Sequence, residues 1–286
     1  MSTTPTVAVI APGNMGAGIG RRLTENKVTV LTSLAGRSEE SIKRAREAGM
    51  QPVEERMLAE ADFFLSIVPP GDAFGLATRL APILTAANRK PIYLECNAVS
   101  PPTMQKIADV IATTGCPFVG AGIIGPPPKP GSTNTKIYAS GPAAKDVARL
   151  NDYGLIVRVL DGPITAASAL KMSYAGITKG TTAIAAAMLL GAARFGCAEA
   201  LIAELSDSQP QMLARMRSNI PGMYDKAYRW VAEMEEISDF LEANPPSRDI
   251  YAAVARLYDF LAAAQAEAQP GSDNAIRTLD RVLGNG

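Results

Sequence analysis

A run of glycines follows the first apolar segment of the chain, in the sequence VAVIAPGNMGAGIG that starts at Val7. Glycines at these positions let the backbone approach a ligand and let the next helix pack closely on its strand. The free N–H groups and the dipole at the start of that helix favour a phosphate. We therefore predict a pyrophosphate-binding turn, in which alanine replaces the usual first glycine; a buried turn without a ligand is the alternative. The predicted turn consists of Pro12, Gly13, Asn14, Met15 and Gly16.

The end of the second predicted strand indicates which dinucleotide would bind. NAD sites usually have an acidic residue about twenty residues after the glycines, where it binds the ribose hydroxyls. Here the sequence is LTSLAGRSEES, with no acid before Arg37. Arg37, with its planar guanidinium, and Ser38, at a helix start, suit a 2′-phosphate. We predict NADP as the cofactor; the alternatives are a solvated Arg37 and a Ser38 that only caps its helix.

The composition excludes several kinds of chemistry. The chain has no histidine and three cysteines, which excludes Ser-His-Asp triads, histidine-based dehydrogenases and Cys/His zinc sites. We predict no metal site, and acid–base chemistry is left to Lys, Tyr, Asp, Glu or Cys.

Charge and cysteine content predict where the protein acts. The 28 basic and 28 acidic residues cancel, so we expect no nucleic acid partner. The uncharged run from Gly180 to Ala193 is too short to span a bilayer, and we expect no membrane. The first residues lack the pattern of a signal peptide, and three scattered cysteines favour a reducing compartment, so we predict a cytoplasmic protein.

The order of secondary structure predicts two domains. Over the first 160 or so residues, β-rich runs alternate with helical patterns, which is typical of a Rossmann-like α/β fold with a doubly wound parallel sheet. After Asp161 only helical patterns follow. We predict a dinucleotide-binding domain over residues 1–162 and an all-α substrate and dimerisation domain over residues 163–286. The second domain would begin with a long interdomain helix from Ile164 to Phe195.

Six segments, in order along the chain, are similar to one enzyme superfamily. They are IAPGNMGAGI, GRS, SIVPP, LECNAVSP, GAGIIGPP and ASALKMSYAGITKG. The chain resembles the β-hydroxyacid dehydrogenase superfamily, which includes 3-hydroxyisobutyrate and 6-phosphogluconate dehydrogenases. Within it, the chain is similar to the poorly characterised branch labelled phosphogluconate dehydrogenase, NAD-binding.

The resemblance implies roles for particular residues. Cofactor contacts are implied for Val68, Pro69, Pro70 and Asn97. Lys171 matches the catalytic lysine of the superfamily, which gives a proton to the carbonyl oxygen as hydride arrives. On periodicity alone, Lys171 could instead extend its stem to the surface. Lys179, two helical turns later, is a second candidate.

The sequence departs from the superfamily where the substrate is expected. The usual serine-glycine-glycine loop corresponds here to GAGIIGPPP, which has Ile124 for the serine and Pro126 for a glycine. Substrate contacts would come from Gly122, Ile123, Ile124 and Tyr174, the last replacing a usual asparagine. These changes favour a substrate that is bulkier or less charged than a small hydroxy acid.

The leading hypothesis is an NADPH-dependent oxidoreductase that interconverts a carbonyl and a hydroxyl in a small molecule, with Lys171 as acid and base. An imine reductase and a non-catalytic nucleotide-binding protein are the alternatives. We expect Glu233 and Glu236 to be solvated; if one faced the active site, it would favour a cationic iminium substrate. The long helix of small residues and the superfamily both imply a homodimer.

Overall fold

The computed structural model describes residues 4–129, 131, 134–267 and 274–284. The chain divides into two compact units, Met1–Met172 and Ser173–Gly286. The units meet inside the long helix, after residue 172, whereas the sequence predicts a boundary after residue 162. The first turns of that helix pack on the sheet and therefore belong to the first unit.

One eight-stranded sheet forms the centre of the first unit. Its strands are β1 (Thr6–Ile10), β2 (Thr29–Thr32), β3 (Gln51–Pro52), β4 (Phe63–Ser66), β5 (Ile92–Glu95), β6 (Phe118–Ile124), β7 (Lys136–Ser140) and β8 (Val157–Leu160). Their spatial order is β3-β2-β1-β4-β5-β6-β7-β8. The first six strands are parallel and have the doubly wound order that is typical of a dinucleotide-binding fold. The sequence prediction of a Rossmann-like α/β fold is confirmed.

The last two strands depart from the parallel direction of the other six. β7 pairs with β6 in the antiparallel direction, and β8 is parallel to β7. A parallel neighbour requires a crossover connection, usually a helix, and the short segment between β6 and β7 contains none among its described residues.

Alternation of side chains gives the sheet two buried faces. On β6, Val119, Ala121 and Ile123 belong to one apolar core. The opposite core includes Phe64 and Tyr93, whose stacked rings have centroids 5.1 Å apart.

Eleven α-helices surround and follow this sheet in the described residues. They are α1 (Asn14–Glu25), α2 (Glu39–Glu47), α3 (Pro70–Ala86), α4 (Pro101–Ala112), α5 (Ala144–Val147), α6 (Ala166–Arg194), α7 (Ala198–Ser208), α8 (Pro210–Asn219), α9 (Ala227–Phe240), α10 (Pro245–Ala266) and α11 (Ala275–Leu283). The described part of the second unit contains helices and no strand. The predicted all-α C-terminal region is confirmed.

Helix α6 is buried on one side and exposes an apolar stripe on another. On its buried side, Gly176 and Gly180 lie against the phenol of Tyr251 on α10. Among the residues that the structure describes, α6 is the one helix whose length and apolar composition would allow it to cross a membrane. In its most apolar stretch of 18 residues, 44% is buried within the protein. We call its exposed side the α6 stripe: Tyr174, Ile177, Thr181, Ile184 and Met188.

Candidate cofactor and active site

The glycine turn joins β1 to α1 and leaves room for a ligand at one glycine only. Gly13 is the N-cap residue of α1, and a Cβ at this position would meet no atom within 4 Å. A Cβ at Gly16 would lie 2.0 Å from the carbonyl oxygen of Ala11. Gly16 therefore serves close packing of helix on strand, whereas Gly13 borders open space in front of the first N–H groups of α1.

Ala11 occupies the position of the missing glycine without a left-handed backbone. The only non-glycine residue with positive φ in the described chain is Lys27. The peptide bond before Ala11 is cis, and the Ala11 N–H donates to the Ile67 carbonyl at 2.8 Å. The turn is thus tied to the segment that follows β4, where the sequence predicts further cofactor contacts.

A cleft of about 580 Å³ opens beside the end of β2. Arg37 lines it, together with Glu54, Glu55 and Arg79. Both carboxylates have arginine partners, since Arg56 Nε donates to Glu54 at 2.7 Å and Arg79 pairs with Glu55. Arg37 forms no ion pair with any residue that the structure describes, so its charge is available to an anion.

Helix α2 accounts for the position of Ser38 and carries an arginine near the glycine turn that the sequence did not indicate. The Ser38 hydroxyl accepts from the Ser41 N–H at 3.3 Å, which is the capping role given above as an alternative. Arg44, in the second turn of α2, donates from Nε to the Pro12 carbonyl at 3.4 Å. Arg37 precedes the N-cap of α2, so its spacing from Arg44 carries no helical signal that could have revealed Arg44 in the sequence.

The segment after β4 is held by the segment after β5. The Val68 N–H donates to Asn97 Oδ1 at 2.6 Å, and Asn97 Nδ2 donates to Ser66 Oγ at 2.9 Å. Pro69 is the N-cap residue of α3 and Pro70 its first residue, where proline is well tolerated. Asn97 is 4% exposed, and its amide is used largely to join the two segments.

Lys171 lies over the end of β6. A Cβ at Gly122 would be 2.9 Å from the Cβ of Lys171 and 2.9 Å from the Ala167 carbonyl. One turn earlier on α6, the buried Ser168 hydroxyl donates to the Val99 carbonyl. The absence of a side chain at Gly122 lets the backbone of α6 at Lys171 pack on β6, and the Ser168 bond ties the same turn of α6 to the segment that follows β5.

The other residues predicted to contact substrate lie in different surroundings. Ile123 is buried in the core on the opposite face of β6 from Gly122, because successive strand residues alternate. Ile124 is half-buried at the strand end. Tyr174 is 50% exposed and starts the α6 stripe.

The second candidate lysine has a structural partner in the second unit. Lys179 forms a buried ion pair with Glu233, with side-chain exposures of 17% and 9%, and its Nζ lies 4.8 Å from the centre of the Trp230 ring. Glu233 is therefore not solvated as expected, and its charge is compensated. Glu236 is half-buried on the same helix.

Comparison with protein families identifies the family of the chain. The model of the NAD-binding domain of 6-phosphogluconate dehydrogenase matches residues 6–152, about half of the chain. The chain belongs to this dehydrogenase family. A domain of unknown function (DUF1932) matches residues 192–261. The resemblance drawn from the sequence is confirmed: the chain is a dehydrogenase-like oxidoreductase with a binding domain for a nicotinamide dinucleotide.

Solved structures agree with this family. The conserved protein MTH1747, of unknown function and similar in structure to 3-hydroxyacid dehydrogenases, is 30% identical; the match covers 92% of this chain and 100% of that one, with a TM-score of 0.69. The 3-hydroxyisobutyrate dehydrogenase of Mycobacterium tuberculosis is 15% identical, over 98% and 99% of the two chains, with a TM-score of 0.72. An imine reductase from Myxococcus stipitatus, in complex with NADP+, is 18% identical over 98% and 100%, with a TM-score of 0.59. At these identities, the last two matches show the fold alone.

Proposed function

We propose that the protein is an NADPH-dependent reductase of a small carbonyl compound, and that it runs the reverse oxidation of the hydroxyl with the same residues. The observation that carries the proposal is the position of Lys171 over the end of β6, in a chain of this dehydrogenase family. The bound dinucleotide supplies or accepts the hydride. Lys171 gives its proton to the carbonyl oxygen as the carbon is reduced, and takes it back in oxidation.

The preference for NADPH rests on the charges around the cleft at the end of β2. A 2′-phosphate needs a cation that is not already neutralised, and Arg37 meets this condition. The two carboxylates in the same cleft would repel a phosphate, but each is compensated by its own arginine. The pyrophosphate would lie at the start of α1, over Gly13.

Reduction of an imine is the second candidate, favoured by the end of β6. Ile124 stands where the superfamily has a serine, so the hydroxyl donor for a substrate carboxylate is absent at this position. A neutral or bulky substrate fits this strand end better than a small hydroxy acid. The carboxylate of Glu233 gives no support for binding a cation, because Lys179 compensates it.

The proposal is tested first by titrating the protein with NADPH and NADH and following the nicotinamide fluorescence. We expect tighter binding of NADPH. Arg37→Ala should weaken NADPH binding by about 10- to 100-fold, the value of a charge-assisted hydrogen bond, and leave NADH nearly unchanged. Arg46→Ala is the matched control, since Arg46 is exposed on α2 and does not line the cleft. Equal affinity of the two cofactors in the wild type would refute the NADPH preference.

Lys171 is tested by turnover with panels of carbonyls and imines. Lys171→Met should lower kcat by about 10²- to 10⁴-fold, which is the usual contribution of a general acid, and leave the dissociation constant of NADPH unchanged. Lys106→Met, at an exposed position of α4, is the control. An unchanged kcat in Lys171→Met would remove the assignment of Lys171.

We also propose a cytoplasmic homodimer formed through the α6 stripe. The stripe residues alternate at spacings of three and four, as in paired helices, and extend over about 20 Å at 1.5 Å per residue. Ile177 is 67% exposed and Met188 62%. A partner helix with the same pattern, from a second copy of the chain, would cover these side chains.

A further inference from the structure

A carboxylate is buried in the middle of the sheet, where the sequence analysis gave no role. Glu95 ends β5 and is 0% exposed. It pairs in register with Ser66 on β4 and Gly120 on β6, one layer beyond the stacked rings of Phe64 and Tyr93. Burial of a charged group is costly unless hydrogen bonds or a function compensate it.

The hydrogen bonds of Glu95 lead directly to Asn97. Glu95 Oε1 accepts from the backbone N–H of Asn97 at 3.1 Å and from its side-chain Nδ2. The second hydrogen of Nδ2 goes to Ser66 Oγ, and Asn97 Oδ1 accepts from the Val68 N–H. Both amide hydrogens of Asn97 are therefore used, and one lone pair of Oδ1 remains.

These partners allow a single orientation of the Asn97 amide. An ionised carboxylate can only accept hydrogen bonds, and a backbone N–H can only donate them. Exchanging the nitrogen and oxygen of the amide would place two donors together at Val68 and two acceptors together at Glu95. Glu95 thus determines which atom of Asn97 faces the segment after β4.

We propose that Glu95 is a positioning residue that fixes the Asn97 amide, so that Oδ1 both anchors Val68 and offers a hydrogen-bond acceptor to the nicotinamide riboside half of the cofactor. The role of Asn97 toward the cofactor rests on the proposed function. In this arrangement Asn97 accepts from a ribose hydroxyl or a carboxamide N–H. It has no amide hydrogen left for a substrate oxygen.

The protonation of Glu95 provides a way to test this role. Burial raises the pKa of Glu95 to about 7, although hydrogen bonds from Asn97 and Ser66 offset part of the rise. The titratable groups coupled to its charge are Tyr93, on its own strand, and Cys96, directly after that strand, and burial raises the pKa of both well above their usual values. They stay neutral between pH 5.5 and 8.5, so a change near pH 7 in this network belongs to Glu95. A protonated carboxyl accepts more weakly, and the hold on Asn97 loosens as the pH falls.

The experiment in the free protein follows the backbone amide of Val68 by ¹⁵N NMR from pH 5.5 to 8.5. We expect its chemical shift to titrate with a midpoint near pH 7 in the wild type and not in Glu95→Gln. Glu60→Gln, at an exposed position of the first unit, is the matched control and should keep the wild-type titration. A wild-type Val68 amide that does not titrate in this range would overturn the proposal, even if Glu95→Gln cannot be folded.

The cofactor provides the second readout. The dissociation constant of NADH, which has no 2′-phosphate to titrate, should rise about three- to tenfold in the wild type as the pH falls from 8 to 6, since one hydrogen bond is weakened. In Glu95→Gln it should be independent of pH. A pH dependence that survives unchanged in Glu95→Gln would refute the link to the cofactor. If neither dinucleotide binds the wild type, the proposed function fails, while the Val68 titration still decides the role of Glu95.

Discussion

Replacing Glu95 with glutamine should change the way in which the stability of the protein depends on pH. The pKa of Glu95 is raised from its usual 4.5 to about 7, and burial is the largest cause of this rise. Hydrogen bonds from Asn97 and Ser66 act in the opposite direction. The native state therefore holds this proton more tightly than the unfolded chain does. Its contribution to stability is present below pH 4.5 and is lost as the pH rises through 7.

The size of this contribution follows from the two pKa values. Each tenfold difference in proton affinity between the native and unfolded states is worth about 1.4 kcal/mol. The interval from 4.5 to about 7 then corresponds to about 3 kcal/mol in the free energy of unfolding. Glutamine has nearly the same shape and does not titrate. The difference in stability, Glu95→Gln minus wild type, should rise by about 3 kcal/mol between pH 4.5 and 8.5.

Urea unfolding followed by circular dichroism at a series of pH values measures this difference. Fluorescence is less suitable, because the single tryptophan, Trp230, belongs to the second unit. Glu60→Gln, at an exposed position of the first unit, is the control and should follow the wild type at every pH. A difference between Glu95→Gln and wild type that stays constant over the whole range would refute the reasoning.

Three further predictions concern other parts of the chain. Gly16→Ala should destabilise the protein in urea unfolding by about 1–3 kcal/mol or more, because the added methyl crowds the turn. Gly13→Ala should keep the stability of the protein and weaken cofactor binding in a fluorescence titration. Equal losses of stability in the two variants would contradict this. Lys179→Met should cost about 3–5 kcal/mol in urea unfolding because it leaves the Glu233 carboxylate buried without its cation, and adding Glu233→Leu should restore most of it; a double variant no more stable than the single one would argue against this. Ile184→Glu should halve the molar mass in sedimentation at micromolar concentration, and a wild-type monomer, or one that instead binds lipid vesicles, would exclude the proposed dimer.

Local sequence patterns predicted much of the first unit. The turn at Gly13, the cap at Ser38 and the strand and helix alternation depend on residues close together in the chain. Such signals come from turn geometry, capping and the period of apolar residues. They led to the fold class and to the order of its elements.

Features that depend on distant pairing were not predicted. The antiparallel direction of β7 depends on the route of the chain after β6, which has no local pattern. The bonds of Asn97 with Ser66 and Val68 form only when β4 and β5 lie side by side. A lone glutamate at the end of an apolar run gives no sign of its partners in the sequence. Arg44 was missed for the same reason, since its contact with Pro12 crosses between two elements.

Under the proposed function, the alternation of side chains along β6 decides which positions a protein engineer can vary to change the range of substrates. Position 122 tolerates glycine alone, because any side chain there would displace the backbone of α6 and Lys171 with it. Position 123 points into the opposite core, so variation there changes stability rather than selectivity. Mutant libraries should therefore concentrate on Ile124, the half-buried residue at the end of the strand, where a serine, threonine or arginine would reintroduce a donor for a carboxylate. Only one residue of these three can be randomised without also disturbing the scaffold.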